Sequence, residues 1–304
     1  MKFICSLLFF LIFINTCYSE EFFGYLEKPL SAEIVSSTGE LTFSKETEIV
    51  KDGIFSEKFM LGHGDCGSDS YGHNDCNTDR GRVERRTNYI NRDKAFYIFS
   101  IYVPKNFNPT KYTSIAQAKI KKVRPPVWMF GLVKDSMGND FLQLDFNTIG
   151  RTCKRIYPSS KMYDKWTDIV FFVSYKNKYD PQVGENLAAL WINNERVKVP
   201  CFNKNTLKNV ISKKEVGQFK SKAVNFKYGI YHSYVSRWLY IENIKAGYKA
   251  NLSGWIDKTG KGKSGSSKSY TNEPWKVDWK IKMPLKTLYF DRIKILDNMP
   301  DYLK

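Results

Sequence analysis

The 304-residue sequence has no internal repeat and no sustained apolar spacing at i, i+3, i+4, i+7, so a coiled coil is excluded. Beyond the N-terminus no apolar run approaches the roughly 20 residues a membrane helix needs. Neither a helix-turn-helix nor an RNA-binding signature occurs, and no EF-hand spacing is present. Acidic residues are in short supply: 31 Asp and Glu face 48 Lys and Arg, a net charge of +17. Such an excess implies a polyanionic partner, whether nucleic acid, an anionic membrane surface or an acidic polysaccharide. Aromatics, in contrast, are plentiful, with 21 Phe, 19 Tyr and 7 Trp. That content excludes a disordered tail and a collagen, and it is enough for a sizeable core.

The N-terminus bears on the choice of partner. Met1 and Lys2 precede an apolar run from Phe3 to Ile14, and Cys17-Tyr18-Ser19 supplies a cleavage site after Ser19. This is the layout of a secretory signal peptide. Ile14-Asn15-Thr16 is a poor match to the small-residue box of a lipoprotein at Cys17. The expected organisation is a signal peptide over 1–19 and a single domain over 20–304, exported to an extracellular or periplasmic space, with no integral membrane segment after cleavage and as a monomer. Cleavage removes Lys2 and leaves +16. It also removes Cys5 and Cys17, so Cys66, Cys76, Cys153 and Cys201 remain. Four cysteines in an oxidising compartment suggest two disulfides. Of the three pairings, Cys66–Cys76 and Cys153–Cys201 are favoured by proximity in the chain.

The mature sequence reads as strands. Lys94 to Val103 is apolar or aromatic on both alternating faces, as in a strand inside a sandwich. Thr167 to Tyr175 is similar, and Leu187 to Val199 carries an Asn193-Asn194 turn signal. Lys286 to Ile295 alternates, with Leu288, Phe290, Ile293 and Ile295 as its buried set. Ser114 to Lys122 fits a short helix or a strand equally well. Lys204 to Lys222 and Asp257 to Ser269 read as long basic surface loops, either simply solvated or guiding an anionic polymer. The fold class is all-β, a jelly-roll sandwich of two antiparallel sheets with a concave groove.

The densest stretch of chemistry runs from His63 to Arg86. On a strand, Arg80, Arg82 and Glu84 share a face and form a carboxylate or sulfate clamp, or else a structural ion-pair ladder. Arg85 and Arg86 follow. His63, Cys66, His73 and Cys76 have the makings of a zinc set, but the thiols should pair with each other after export. Asp65, Asp69, Asp75 and Asp79 offer oxygen ligands that suit Ca2+, although no cofactor is required. A second stretch, from Asn225 to Ser236, places Lys227, Gly229 and Tyr231 on one strand face. Gly229 there would leave room for a ligand to approach the backbone.

In order along the chain, these segments resemble the heparin lyase I-like polysaccharide lyases and, more loosely, the jelly-roll alginate and glucuronan lyases. Asp79-Arg80-Gly81-Arg82-Val83-Glu84 is similar to the family's Asp-Arg-x-Arg-x-Glu strand, and Gln117-Ala118-Lys119 stands where the family has Gln-x-His. Trp166-Thr167-Asp168, Leu190-Trp191-Ile192-Asn193, Phe226-Lys227-Tyr228-Gly229-Ile230-Tyr231 and Tyr289-Phe290-Asp291-Arg292-Ile293 are similar to four further family strands. The resemblance implies β-elimination on an acidic polysaccharide containing uronic acid, with no nucleic acid partner. Arg82, Arg80 and Gln117 would contact the uronate carboxylate, with Glu84, Arg85 and Lys227 beside them. Tyr231 would protonate the departing oxygen, its pKa lowered by Lys227 or the arginines. Lys119 in place of the family histidine leaves three alternatives: Tyr231 performs both proton transfers; a histidine reaches in, His73 being better placed than His63 or His232; or the glycan is bound without cleavage.

Overall fold

The structure is a computed structural model that describes residues 31–34, 43–66, 75, 79–121, 126–134, 138–146, 151–175, 180–184, 188–199, 223–248 and 278–304. The basic stretches 204–222 and 257–269 lie outside these residues. Two antiparallel sheets face each other. The first runs β1 (Ser31–Ile34), β4 (Arg80–Arg86), β14 (Ala223–Ser233), β7 (Tyr112–Ile120), β8 (Trp128–Lys134), β9 (Asp140–Phe146) and β10 (Arg151–Pro158), with β5 (Ile90–Asn91) paired to β14. The second runs β13 (Glu195–Val197), β12 (Ala188–Ile192), β11 (Trp166–Ser174), β6 (Lys94–Tyr102), β15 (Lys286–Leu296), β3 (Ser56–Leu61) and β2 (Phe43–Glu46). The architecture is a β-jelly-roll sandwich.

The inner faces bury one aromatic core. Phe59, Tyr97, Phe99, Trp128, Phe130, Phe171, Phe226, Tyr228 and Phe290 belong to it. Their rings meet edge-on or tilted, as for Phe59 with Tyr228 at 5.7 Å and Trp128 with Phe171 at 5.0 Å. Such pairs add roughly 0.5–1.5 kcal/mol each beyond the area they bury. The double-sided apolar pattern of β6 has a specific cause. Tyr97, Phe99 and Ile101 face the core, while Phe96 and Ile98 face outward into a second cluster with Val170, Phe172, Trp191 and Met299. The C-terminal residues thus cover the outer face of this sheet.

The Asn193-Asn194 pair turns β12 into β13, both residues at positive φ (52° and 67°), as tight hairpins demand. Residues 114–120 belong to β7 and not to a helix, because they lie between β14 and β8 and alternate Ala116, Ala118 and Ile120 into the core. β15 buries Leu288 and Phe290, then Ile293 and Ile295. A bulge between Asp291 and Lys294 accounts for the change of phase.

One α-helix, α1 (Val235–Lys245), occurs among the described residues where the sequence suggested none. Its first residue follows Tyr234, which is left-handed (φ 62°) and provides no side-chain cap. The cap comes from Asp79, distant in sequence. Ser236 donates its backbone N–H to Asp79 Oδ1 at 2.6 Å and its hydroxyl to Oδ2 at 2.9 Å.

Candidate active site

The exposed face of the first sheet collects the polar residues. On β4, Val83 is fully buried in the core, so Arg80, Arg82, Glu84 and Arg86 point the other way. β14 pairs Tyr231 with Arg82, Gly229 with Glu84 and Lys227 with Arg86. On its other side β14 sets Tyr231 against Ser114, Lys227 against Gln117 and Asn225 against Lys119. Three adjacent strands therefore bring Arg80, Arg82, Glu84, Ser114, Gln117, Lys119, Asn225, Lys227 and Tyr231 to one face. His73 lies outside the described residues.

Arg82 and Tyr231 form the centre. The guanidinium carbon is 4.4 Å from the centroid of the Tyr231 ring, and that of Arg80 is 5.8 Å from it. Arg82 is also gripped by Asp75, with Nε to Oδ2 at 2.6 Å and Nη2 to Oδ1 at 2.8 Å. Its Nη1 lies 3.6 Å from Glu84 Oε2. The fork expected to clamp a substrate carboxylate is thus occupied by Asp75, and Arg82 braces Tyr231. Burial opposes the charge on Arg82, but Tyr231, Asp75 and Glu84 outweigh it and hold the guanidinium protonated.

Tyr231 departs from expectation in its acidity. Burial pushes its phenol up to about 12, and the lowering by Arg82 and Arg80 is too small to compensate while Asp75 and Glu84 push it further up. It is a protonated donor at neutral pH.

Gln117 Nε2 donates to Glu84 Oε1 at 2.5 Å, which fixes the amide and leaves its Oε1 without a hydrogen-bond partner among the described residues. Glu84 is 1% exposed and holds Gln117 and Arg82 in place. Beside them Asn225 is fully buried, and among the described residues neither its Oδ1 and Nδ2 nor Ser114 Oγ has a hydrogen-bond partner. Unpaired buried polar atoms are costly and cluster at sites that receive a ligand or water. Sequence reading missed Asn225 and Ser114, and took Asp75 only as a candidate Ca2+ ligand. The first stands two residues before Lys227 on the same strand, and that spacing is a usable signal. Asp75 lies in a loop, where nothing in the pattern indicates its partner.

Other candidates lie elsewhere. Arg85 is on the opposite face of β4, hydrogen-bonded to Glu57 of β3, which also accepts from Tyr228 Oη at 2.6 Å. It links the two sheets and does not line the groove face, because strand alternation reverses its direction relative to Arg82 and Glu84. Gly229, at φ 138°, makes room for the neighbouring strand and not for a ligand: a Cβ there would sit 2.3 Å from the Val83 carbonyl oxygen. His232 is fully buried on the core side, bonded through Nδ1 to Thr113 Oγ1 at 2.8 Å. His63 accepts the Met283 N–H at 3.2 Å through Nδ1. Asp65 accepts the Gly62 N–H at 2.6 Å, Asp75 holds Arg82 and Asp79 caps α1. Among the described residues no three His, Cys, Asp or Glu side chains are grouped to hold a metal; Asp69, His73, Cys76 and Cys201 fall outside them.

A sandwich with one polar, cationic sheet face carrying a protonated tyrosine defines a β-sandwich with a candidate acid–base site. The sequence profile of the family described as "Polysaccharide lyase" matches residues 32–245, and the chain belongs to that family. Among curated proteins, none matches the chain in sequence. Solved structures with a similar course of the chain include endo-β-1,4-glucuronan lyase from the fungus Trichoderma reesei, 12% identical, with a TM-score of 0.44 over 88% of this chain and 95% of that one. The cellulose-induced protein Cip1 is 9% identical, with a TM-score of 0.43 over 88% and 91%. The family 7 alginate lyase AlgAT5 is 11% identical, with a TM-score of 0.38 over 83% of each chain.

Proposed function

We propose that the protein is a secreted, monomeric lyase that cleaves an acidic polysaccharide by β-elimination, as its resemblance to heparin lyase I-like enzymes implies. The observation that carries this reading is Tyr231: a phenol held protonated at about 12, braced by Arg82 and flanked by the Gln117–Lys227 pair. In this mechanism the uronate carboxylate lies against Lys227 and the second N–H of Gln117, which stabilise the charge that develops as the C5 proton leaves, while Arg80, beside Tyr231, binds the polymer. Tyr231 gives its proton to the departing 4-oxygen. His73 takes the C5 proton, since His63 is hydrogen-bonded to the chain at Met283 and His232 lies in the core. Lys119, opposite Asn225, contacts the polymer. No metal enters these steps. The net charge of +17 on the full chain favours a sulfated polymer over a plain polyuronate. In this reading two disulfides, Cys66–Cys76 and Cys153–Cys201, complete the secreted form.

Incubation of the mature protein with heparin, heparan sulfate, alginate, glucuronan and hyaluronan tests the reading through the absorbance of the unsaturated uronate product. Product from at least one polymer is expected. Binding without product on all five would replace the lyase by a glycan-binding module, a reading that Lys119 at the family's histidine position favours.

A further inference from the structure

The opposite face of β14, away from Tyr231, leads to a second cluster at one end of the sandwich. Lys286 on β15 is in phase with Leu288 and Phe290, both fully buried, and is itself 1% exposed, so its side chain points between the sheets. Its Nζ has no hydrogen-bond partner among the described residues and lies 4.8 Å from the centroid of the Trp238 ring of α1. His232 enters the same space from the other sheet, in phase with the core residues Ile230 and Tyr228.

The hydrogen bonds around His232 run through Thr113. Thr110 Oγ1 gives its proton to the Tyr112 carbonyl at 2.8 Å, and Thr113 Oγ1 accepts the Thr110 N–H at 3.1 Å. Thr113 Oγ1 lies 2.8 Å from His232 Nδ1 and 3.2 Å from Thr110 Oγ1, so its proton can be given to either. A neutral His232 accepting at Nδ1 carries its hydrogen on Nε2. That Nε2 has no partner either, nor has Trp238 Nε1. The unpaired groups here are an ammonium, an indole N–H and the imidazole Nε2, which bears a hydrogen when Nδ1 accepts from Thr113.

Among the described residues no carboxylate is hydrogen-bonded to Lys286. Lys134 acts on Lys286 with the same sign and is itself hydrogen-bonded to Asn108. Glu242 acts favourably from α1, but its Oε1 is taken by Lys245 at 2.9 Å. Burial, then Lys134, bring Lys286 down to about 8, so it is still largely charged at pH 7. Burial and Lys286 together keep His232 neutral, its pKa well below the usual histidine value. A buried cation with neighbouring donors and no paired carboxylate is a costly arrangement unless a negative charge is bound.

We infer that Lys286, His232 and Trp238 form a binding site for a small monovalent anion of chloride size, separate from the groove face. One full positive charge beside the indole N–H, with His232 in the tautomer that carries its hydrogen on Nε2, matches a single negative charge. The anion sits between Lys286 Nζ and His232 Nε2 and joins the two sheets at this end.

The test is thermal unfolding of the full mature protein at pH 7 and constant ionic strength, with sodium gluconate exchanged for sodium chloride. An anion bound only by the native state raises Tm by about 2–3 °C per tenfold excess over its Kd. A saturable, chloride-specific rise is expected in the wild type, and its loss in Lys286→Met. Equal Tm in gluconate and chloride, or an undiminished chloride effect in Lys286→Met, would overturn the proposal. Wild-type crystals soaked in bromide provide a measurement that does not depend on the variant folding. An anomalous peak within hydrogen-bonding distance of Lys286 Nζ supports the site, and no peak there overturns it.

Discussion

The guanidinium of Arg82 stacks 4.4 Å from the ring centroid of Tyr231 while Asp75 holds its Nε and Nη2 edge. The pair is an ordered cation–aromatic unit whose charge is already balanced. Arg82 therefore orients Tyr231 without greatly acidifying it, and the phenol stays protonated across the physiological range. A tyrosine in this state is suited to donate a proton and poorly suited to remove one.

Tyr231→Phe removes the donated proton and keeps the ring beneath Arg82. Turnover should fall by about 10²–10⁴-fold with polymer affinity nearly unchanged. The wild-type rate should also show no alkaline limb from Tyr231 below about pH 11, because an acid with a pKa pushed up to about 12 loses activity only as the pH approaches that value. A fully active Tyr231→Phe enzyme, or a tyrosine limb near pH 9, contradicts this assignment. Product absorbance at saturating substrate, followed across pH, measures both.

Asp75→Ala should be severe although Asp75 contacts no substrate. Arg82 and Asp75 are 12% and 2% exposed at their side chains, and removal of the acid takes away the partner of Nε and Nη2, with Glu84 at 3.6 Å from Nη1. Breaking such a pair costs about 3–5 kcal/mol. Denaturant unfolding should show that loss, and Asp75→Asn, which preserves the shape, should recover part of it. An Asp75→Ala protein as stable as the wild type would mean that the pair has no structural weight.

The parts of the fold that were legible share one property: their sequence signals are local. The two-sided apolar run of β6 and the Asn193-Asn194 hairpin express a buried strand and a left-handed turn within a few residues. Helix α1 escaped because its cap, Asp79, is remote, and because Tyr234 before it provides none. Alternation correctly separated Arg82 and Glu84 from Val83, but Arg85 belongs to the opposite face by the same rule, and its partner Glu57 lies on the other sheet. The acidity of Tyr231 was misread for a related reason. Neighbouring cations are visible in the strand motif, whereas Asp75 and the burial of the phenol arise only when the chain folds. Gly229 is a glycine for the sake of β4, a tertiary requirement that its own segment does not express.

Asp79 should give the protein a stability that falls with rising pH. Burial, which outweighs its hydrogen bonds from Ser236 and the charge of Arg80, raises its carboxyl to about 7 from the ordinary 3.8. Between those values the native state binds more protons than the unfolded chain. The contribution is fully present below about pH 4 and is lost as pH rises through about 7. Asp79→Asn keeps an oxygen for the Ser236 N–H and has no charge to bury. The unfolding free energy of the variant minus that of the wild type should therefore increase with pH, by up to about 4 kcal/mol between pH 4 and pH 8. Denaturant titrations at several pH values measure it; a difference that stays constant with pH rules out the assigned shift.

Gly229→Ala tests whether close approach of β14 and β4 is required for the site. The added Cβ would meet the Val83 carbonyl oxygen at 2.3 Å, Glu84 Cα at 2.9 Å and Phe59 Cδ1 at 3.0 Å. Two of these atoms are backbone in a paired strand and cannot rotate away. A φ of 138° is also outside the range that alanine adopts without strain. Steric overlap and backbone strain together should cost about 2–5 kcal/mol. The functional loss should exceed the loss expected from stability alone. Gly229 pairs with Glu84, two residues along the ladder from Tyr231 and Arg82, so widening the two strands moves the phenol away from its guanidinium brace. The expected result is a lowered Tm together with reduced turnover in the fraction that remains folded. An alanine variant with wild-type Tm and wild-type turnover would show that the strands can separate at Gly229 without disturbing Tyr231.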